Sequence, residues 1–288
     1  MFRPRPDQAE GLRRLLDRGS LRVVSVGAGG GTPADVVNLA GALGELGSDV
    51  LILDARPGGG VAAALGLRPC YGLGDVFSRE RELDEVILRG PAGIRILPLA
   101  HGADALARVP PQQRQRLIER CSRLGFPVDT LLVDAVADAA SALSWPAAAV
   151  QEVIVIAGGG AAAIKAAYAT VKRLANEHAR REFHVLLRNV RSEREAQAIF
   201  DNMARTARRY LQVALHFLGH VPPDDRLQDA ARLRLPVVAA FPRADAAGSF
   251  RRLAQAIAGW PRTESEGCGF DDFMRRLIHA DAVHATAA

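Results

Sequence analysis

Residues 25–57 read SVGAGGGTPADVVNLAGALGELGSDVLILDARP. An apolar run ends in Gly27, Gly29, Gly30 and Gly31, Thr32 follows, and a helical pattern then leads to a second apolar run that closes on Asp54. Glycines just before a helix present main-chain N–H groups at the positive end of the helix dipole, where phosphate binds. A working phosphate loop also carries a lysine for the β/γ charge and a hydroxyl for Mg²⁺. Here Pro33 and Ala34 stand in those two places, and lysine occurs in the whole chain only as Lys165 and Lys172.

Three readings of this stretch remain open. In the first, the loop is a tight turn without a ligand: Thr32 is an N-cap, Pro33 a good first helical residue, and Asp35 sits three residues on, close to the [ST]-x-x-[DE] helix start. The Asp35 carboxylate then takes the end of the helix dipole that a phosphate would use. In the second, ATP or ADP with Mg²⁺ still binds, with Arg56 as the substitute cation. In the third, Gly27-x-Gly29 belongs to a dinucleotide fingerprint with Asp54 as the ribose acid, although the third glycine is missing. Gly158-x-Gly160-x-x-Ala163 is a second superficial match of that kind, so the pattern carries little information in this chain.

No other constellation offers catalysis. The seven histidines form no metal-ligand grouping, and Cys70, Cys121 and Cys268 are odd in number and far apart, which fits neither a disulfide framework nor a metal site. The formal charge of +5 is spread along the chain and almost wholly arginine, so no direct nucleic-acid contact is expected. The stretch from Arg180 to Phe183 reads as solvent-facing, and Asp224 and Asp225 as a solvated helix start. No apolar run reaches the roughly 18 residues of a membrane span, and the expected location is cytoplasmic.

The elements that must hold these residues are legible. Apolar runs at 21–26, 49–54, 94–99, 129–134, 152–157, 183–188 and 213–219 alternate mostly with helical patterns. Continuous apolar strands separated by helices predict an α/β fold with a doubly wound, mostly parallel sheet. The chain has no low-complexity linker. Residues 20–262 are expected to form one α/β domain, flanked by an N-terminal helix within 1–19 and by a C-terminal amphipathic helix and tail in 263–288.

The segment "NLAGALGELGSDVLILDAR", with Asp54 and the "LLVDA" strand that contains Asp134, resembles the MinD/ParA superfamily of deviant Walker ATPases. The resemblance implies that superfamily's fold and ATP hydrolysis with Mg²⁺. On its loop pattern, Ala28 replaces the signature lysine, Pro33 the phosphate-loop lysine, Ala34 the Mg²⁺ hydroxyl, and Arg56 the second acid of the strand end. A charge-assisted hydrogen bond contributes roughly 1.5–3 kcal/mol, so loss of both lysines costs about 3–6 kcal/mol, on the order of 10²–10⁴ in affinity. Hydrolysis is therefore expected to be lost, and Gly27, Gly29, Gly30, Gly31, Thr32, Asp54, Asp134 and the adenine-side Asn189 become a vestigial nucleotide site. Asn189 is equally read as an ordinary strand-end residue.

At the N-terminus, "DQAEGLRRLL" resembles the D-Q-A-x-x-L-R motif of the FlhG/FleN branch, which regulates flagellar number and placement. The matching residues are Asp7, Gln8, Ala9, Leu12 and Arg13. In that branch this helix binds the FlhF-type, signal-recognition-particle-like GTPase and stimulates it, a task that a Gln beside an Arg suits chemically. On spacing alone the same residues describe an ordinary amphipathic helix. The resemblance extends over 68–102 and 191–254, and departs at the nucleotide positions and at "GGGAAAIKAAY". It implies a flagellar transcriptional regulator or basal-body component as further partners, and peripheral attachment at the inner membrane face or cell pole. Phe270, Phe273, Met274, Leu277 and Ile278 form one apolar stripe. Relatives use such a helix on membranes, and docking on the protein's own surface is the alternative.

Overall fold

The computed structural model describes residues 21–56, 59–99, 105, 109–121, 124–134, 150–260 and 269–284. Among these, eight strands form one sheet in the order β3-β4-β2-β5-β1-β6-β7-β8. They are β1 Arg22–Gly29, β2 Val50–Asp54, β3 Leu88–Arg89, β4 Arg95–Pro98, β5 Thr130–Asp134, β6 Glu152–Gly158, β7 Glu182–Arg188 and β8 Ala214–Val221. All pairings are parallel except β3 with β4. The seven apolar runs of the sequence are all strands. The two-residue β3 is too short to produce a periodicity and was not expected.

The central strands are buried on both faces: every residue of "VLILD" in β2 and of "TLLVD" in β5 is buried. Such strands tolerate apolar residues at every position because helices cover both sides. One layer holds α1 (Pro33–Glu45) and α10 (Asp245–Ala258), whose Val36, Leu39, Leu43, Phe250, Leu253 and Ile257 share one apolar cluster. The short helices α2 (Gly60–Ala64), α8 (Arg226–Arg232) and α9 (Val237–Ala240) add to this layer, whereas α3 (Leu73–Phe77) and α4 (Leu83–Val86) pack into the cluster on the opposite face. Asn38 ties α1 to α9, its Oδ1 accepting the Val237 N–H at 2.6 Å.

The opposite layer holds α5 (Pro111–Cys121), α6 (Ala161–Glu177), α7 (Glu193–Leu211) and α11 (Phe270–His284). The stripe of α11 turns inward: Phe270, Phe273, Met274, Leu277 and Ile278 are all buried and join the cluster that contains Leu117 and Ile118 of α5. In this arrangement the stripe meets its own protein. Ile278→Val is therefore expected to cost about 0.5–1.5 kcal/mol in chemical denaturation, the loss from one buried methyl group. An exposed, membrane-seeking face would show no loss.

Two surface expectations need correction. Within 180–183 only Arg181 and Glu182 are exposed: Arg180 is half-buried, its guanidinium donating to the carbonyls of Gln151 at 2.7 Å and Val150 at 2.6 Å, and Phe183 is fully buried. Asp224 is more than a solvated helix start. One oxygen accepts the Arg226 N–H at the start of α8, and the other accepts the Ala246 N–H in the first turn of α10. The expected N-terminal helix within 1–19, with Asp7, Gln8, Ala9, Leu12 and Arg13, lies outside the described residues.

Candidate functional site

The glycine loop leaves β1 at the centre of the sheet, between β5 and β6, where the carboxyl ends of parallel strands form a crevice. Its backbone geometry needs glycine. Gly29 has φ +90°, and a Cβ there would stand 2.9 Å from the Ile156 carbonyl oxygen. Gly31 packs so closely on Gly27 that a Cβ would come within 2.4 Å of the Gly27 Cα. Gly31→Ala must displace backbone, and is expected to cost about 1–3 kcal/mol in denaturant unfolding; a neutral result would mean that the loop is loose.

Thr32 is the N-cap of α1, extended at φ −112°, with Pro33 in the first helical turn. The Asp35 carboxylate folds back over the helix start. Its Oδ2 accepts the Thr32 N–H at 2.7 Å and the Thr32 hydroxyl at 2.8 Å. The same oxygen accepts from Arg188 at 2.7 Å, while Arg188 also reaches the Thr32 hydroxyl at 3.3 Å. A buried carboxylate thus occupies the positive end of the helix dipole, held by a guanidinium from the end of β7. Asn189, next in the chain, is in the left-handed region at φ 56°.

On the other side of the loop, Arg56 closes on β5. Its Nε donates to both oxygens of Asp134, at 2.7 and 2.8 Å, and a terminal nitrogen donates to the Gly31 carbonyl at 3.0 Å. The Arg56 side chain is 14% exposed and Asp134 fully buried, so this is an interior ion pair rather than a solvated one. Asp54 is the direct register partner of Asp134 on β2. Asp54 Oδ2 accepts the Ala62 N–H at 2.9 Å and so caps α2, while Oδ1 is buried without a hydrogen-bond partner.

Two neighbouring buried carboxylates resist ionisation. Burial raises the Asp54 carboxyl above its usual value against the opposing pull of the Ala62 N–H and other main-chain donors. Burial likewise pushes Asp134 up to about 6; the Arg56 hydrogen bond lowers it, and the charges of Asp54 and Asp35 add to the rise. Asp134 therefore holds its proton more tightly in the folded state than in the unfolded one. Its contribution to stability is complete below the ordinary value of 3.8 and declines as pH rises through about 6.

The structure thus places the glycine loop, Thr32, Asp54 and Asp134 together at the carboxyl ends of β1, β2 and β5, linked through Arg56 and Arg188, while Asn189 follows Arg188 at the end of β7. The sequence reading missed Arg188, whose guanidinium pairs with Asp35 as that of Arg56 pairs with Asp134. Both lysines lie at exposed positions of α6. Among the described residues no group of three His, Cys, Asp or Glu could hold a metal ion, and no helix is long and apolar enough to cross a membrane.

No protein-family profile matches the chain. It is 34% identical over 275 residues to the antiactivator FleN of Pseudomonas aeruginosa, a match that covers 93% of this chain and 98% of that protein. The chain belongs to the FleN family. Its fold is that of MinD and ParA proteins. MinD of Aquifex aeolicus superposes with a TM-score of 0.61 at 18% identity, over 84% of this FleN-family chain and 98% of its own. A ParA-family ATPase of Chlorobium tepidum gives a TM-score of 0.61 at 17% identity, over 82% and 98%. MinD of Pyrococcus horikoshii, solved with Mg-ADP, gives 0.59 at 21%, over 83% and 96%.

Proposed function

We propose that this FleN-family protein is an antiactivator of flagellar biosynthesis that works by docking to partners without binding or hydrolysing ATP. The reading rests above all on the Asp35 carboxylate at the start of α1, hydrogen-bonded to the Thr32 N–H and paired with Arg188. A triphosphate placed there would meet a buried negative charge, find no lysine, and lack the N–H that proline removes from the cradle. On the other flank Arg56 already neutralises Asp134 and holds the Gly31 carbonyl. The residues present do not fit a Mg-nucleotide, and no step of the proposed activity passes through one.

The activity then belongs to surfaces. The segment with Asp7, Gln8, Ala9, Leu12 and Arg13 would contact an FlhF-type GTPase and stimulate it, with the α/β domain as carrier. A flagellar transcriptional regulator is the second proposed partner, in keeping with the word antiactivator in the relative's name.

Calorimetric titration of the full chain with ATP and ADP in Mg²⁺ tests the first half. No heat is expected up to high micromolar nucleotide, and micromolar binding would overturn the reading in favour of an ATPase that uses Arg56 and Arg188 as its cations. For the second half, removal of residues 1–19 is expected to abolish capture of the GTPase and any rise in its GTP turnover. Undiminished capture would assign the contact elsewhere.

A further inference from the structure

We propose that the outer edge of β8, unpaired among the described residues, together with the basic end of α7, docks an extended acidic segment of a partner protein as an added strand. This inference uses neither the glycine loop nor the N-terminal segment, so it stands or falls apart from the function proposed above.

β8 is the terminal strand of the sheet and, among the described residues, pairs only with β7. The Ala214 N–H donates to the Arg181 carbonyl at 2.7 Å, so Ala214 and His216 direct their main-chain groups toward β7. Alternation along a parallel pair then points the N–H and C=O of Leu215 and Phe217 away from the sheet. The register shifts only beyond this stretch, opposite Val185 and Leu186, which leaves residues 214–217 a regular edge.

Natural edges are commonly blunted by charges or proline on the strand itself. The sequence of β8, ALHFLGHV, contains neither. The charge lies instead on the helix above. Arg205, Arg208 and Arg209 are exposed in the second half of α7, after its last acid, Asp201. Arg205 is engaged locally with the Asp201 carbonyl and Asn202. Arg208 and Arg209 take part in no ion pair among the described residues; Arg209 lies over the ring of Tyr210, 5.3 Å from its centroid.

Tyr210 is 66% exposed, more than any other large apolar side chain described. Leu215 and Phe217 are only partly buried beneath the same helix, with the Phe217 ring 5.2 Å from that of Phe200. An incoming strand would find main-chain donors and acceptors, a half-open apolar shelf, and a rim of guanidinium groups. The carboxylate nearest in register is Glu182, opposite Ala214.

That combination selects a polypeptide with acidic side chains. Main-chain groups in strand register are matched by another backbone, whereas a lipid surface or a nucleic acid would use only the arginines. Tyr and Arg are also the residue types that most often dominate protein interfaces.

The test uses the full chain and a fluorescein-labelled peptide of alternating Val and Glu, followed by fluorescence anisotropy and by hydrogen exchange. Saturable binding is expected, weakened about tenfold or more by high salt and by the pair Arg208→Glu and Arg209→Glu, with slowed exchange at the Leu215 and Phe217 amides. A Val–Lys peptide should not bind. Equal binding of both peptides, indifference to the arginine changes, or absence of protection at these two amides would overturn the proposal. So would displacement of the peptide by anionic vesicles or by oligonucleotide without any amide protection, or a salt-resistant self-association through this edge seen in sedimentation.

Discussion

Arg56→Ala is expected to lose about 3–5 kcal/mol of unfolding free energy at about pH 8, where Asp134 is ionised. The charge pair is interior, and the variant leaves a fully buried carboxylate with its main donor gone and with Asp54 beside it in register. The penalty should shrink at about pH 5, because Asp134, raised to about 6, is then largely protonated and has no charge to compensate. Urea unfolding at the two pH values measures this difference. The double variant Arg56→Ala with Asp134→Asn should be less destabilised at pH 8 than Arg56→Ala alone, since the orphaned charge is removed as well. Equal losses at both pH values would assign the effect to the Gly31 contact or to packing rather than to the charge pair.

The same pair shapes the pH profile of the wild type. Asp134 binds a proton more tightly folded than unfolded, so stability falls as pH rises from about 3.8 to about 6 on its account. Glu152 runs the other way. Its hydrogen bond with His184, at 3.2 Å, lowers its carboxyl, and the resulting stability is lost as pH falls through that lowered value. Asp134→Asn should flatten the decline on the upper side while leaving the acid limb in place.

The second large effect is a gain. Ala28→Lys, Pro33→Lys and Ala34→Thr together, with Asp35→Ala to clear the helix start, are expected to raise ATP affinity by about 10²–10⁴, the value of two charge-assisted hydrogen bonds. The Asp35 change matters because its carboxylate holds the Thr32 N–H and the Arg188 guanidinium, two of the donors that a phosphate needs. The triple variant without it should recover less. Calorimetry with Mg-ATP distinguishes the two, and a wild type that already binds at micromolar concentration would remove the basis of the prediction. A quadruple variant that folds, as judged by circular dichroism, yet stays silent would indicate that the Arg56–Asp134 pair also bars the site.

How far the sequence reaches differs element by element. The strands were legible because a chain buried on both faces must be apolar throughout, a property visible in "DVLILD" and "DTLLVD" without any partner. The start of α1 was legible too, since Thr32, Pro33 and Asp35 interact over three residues, and local hydrogen bonds leave local signatures. Arg188 was not. Its bond to Asp35 spans 153 positions, and nothing near "LLRNV" distinguishes an arginine that staples a loop from one in solvent. Arg56 was visible as a substitution but not as a partner, because its acid lies 78 residues away.

The C-terminal helix divides the same way. Spacing alone determined that Phe270, Phe273, Met274, Leu277 and Ile278 share one face, since that is a property of helical pitch. Only the tertiary structure decided that this face is buried against α5, in the cluster that holds Leu117 and Ile118. Sequence by itself determined the α/β class, the missing lysines and the family likeness, all of which are local patterns. The tertiary structure decided which charges meet, because ion pairs across a sheet depend on strand order, and strand order is set by the packing of the whole chain.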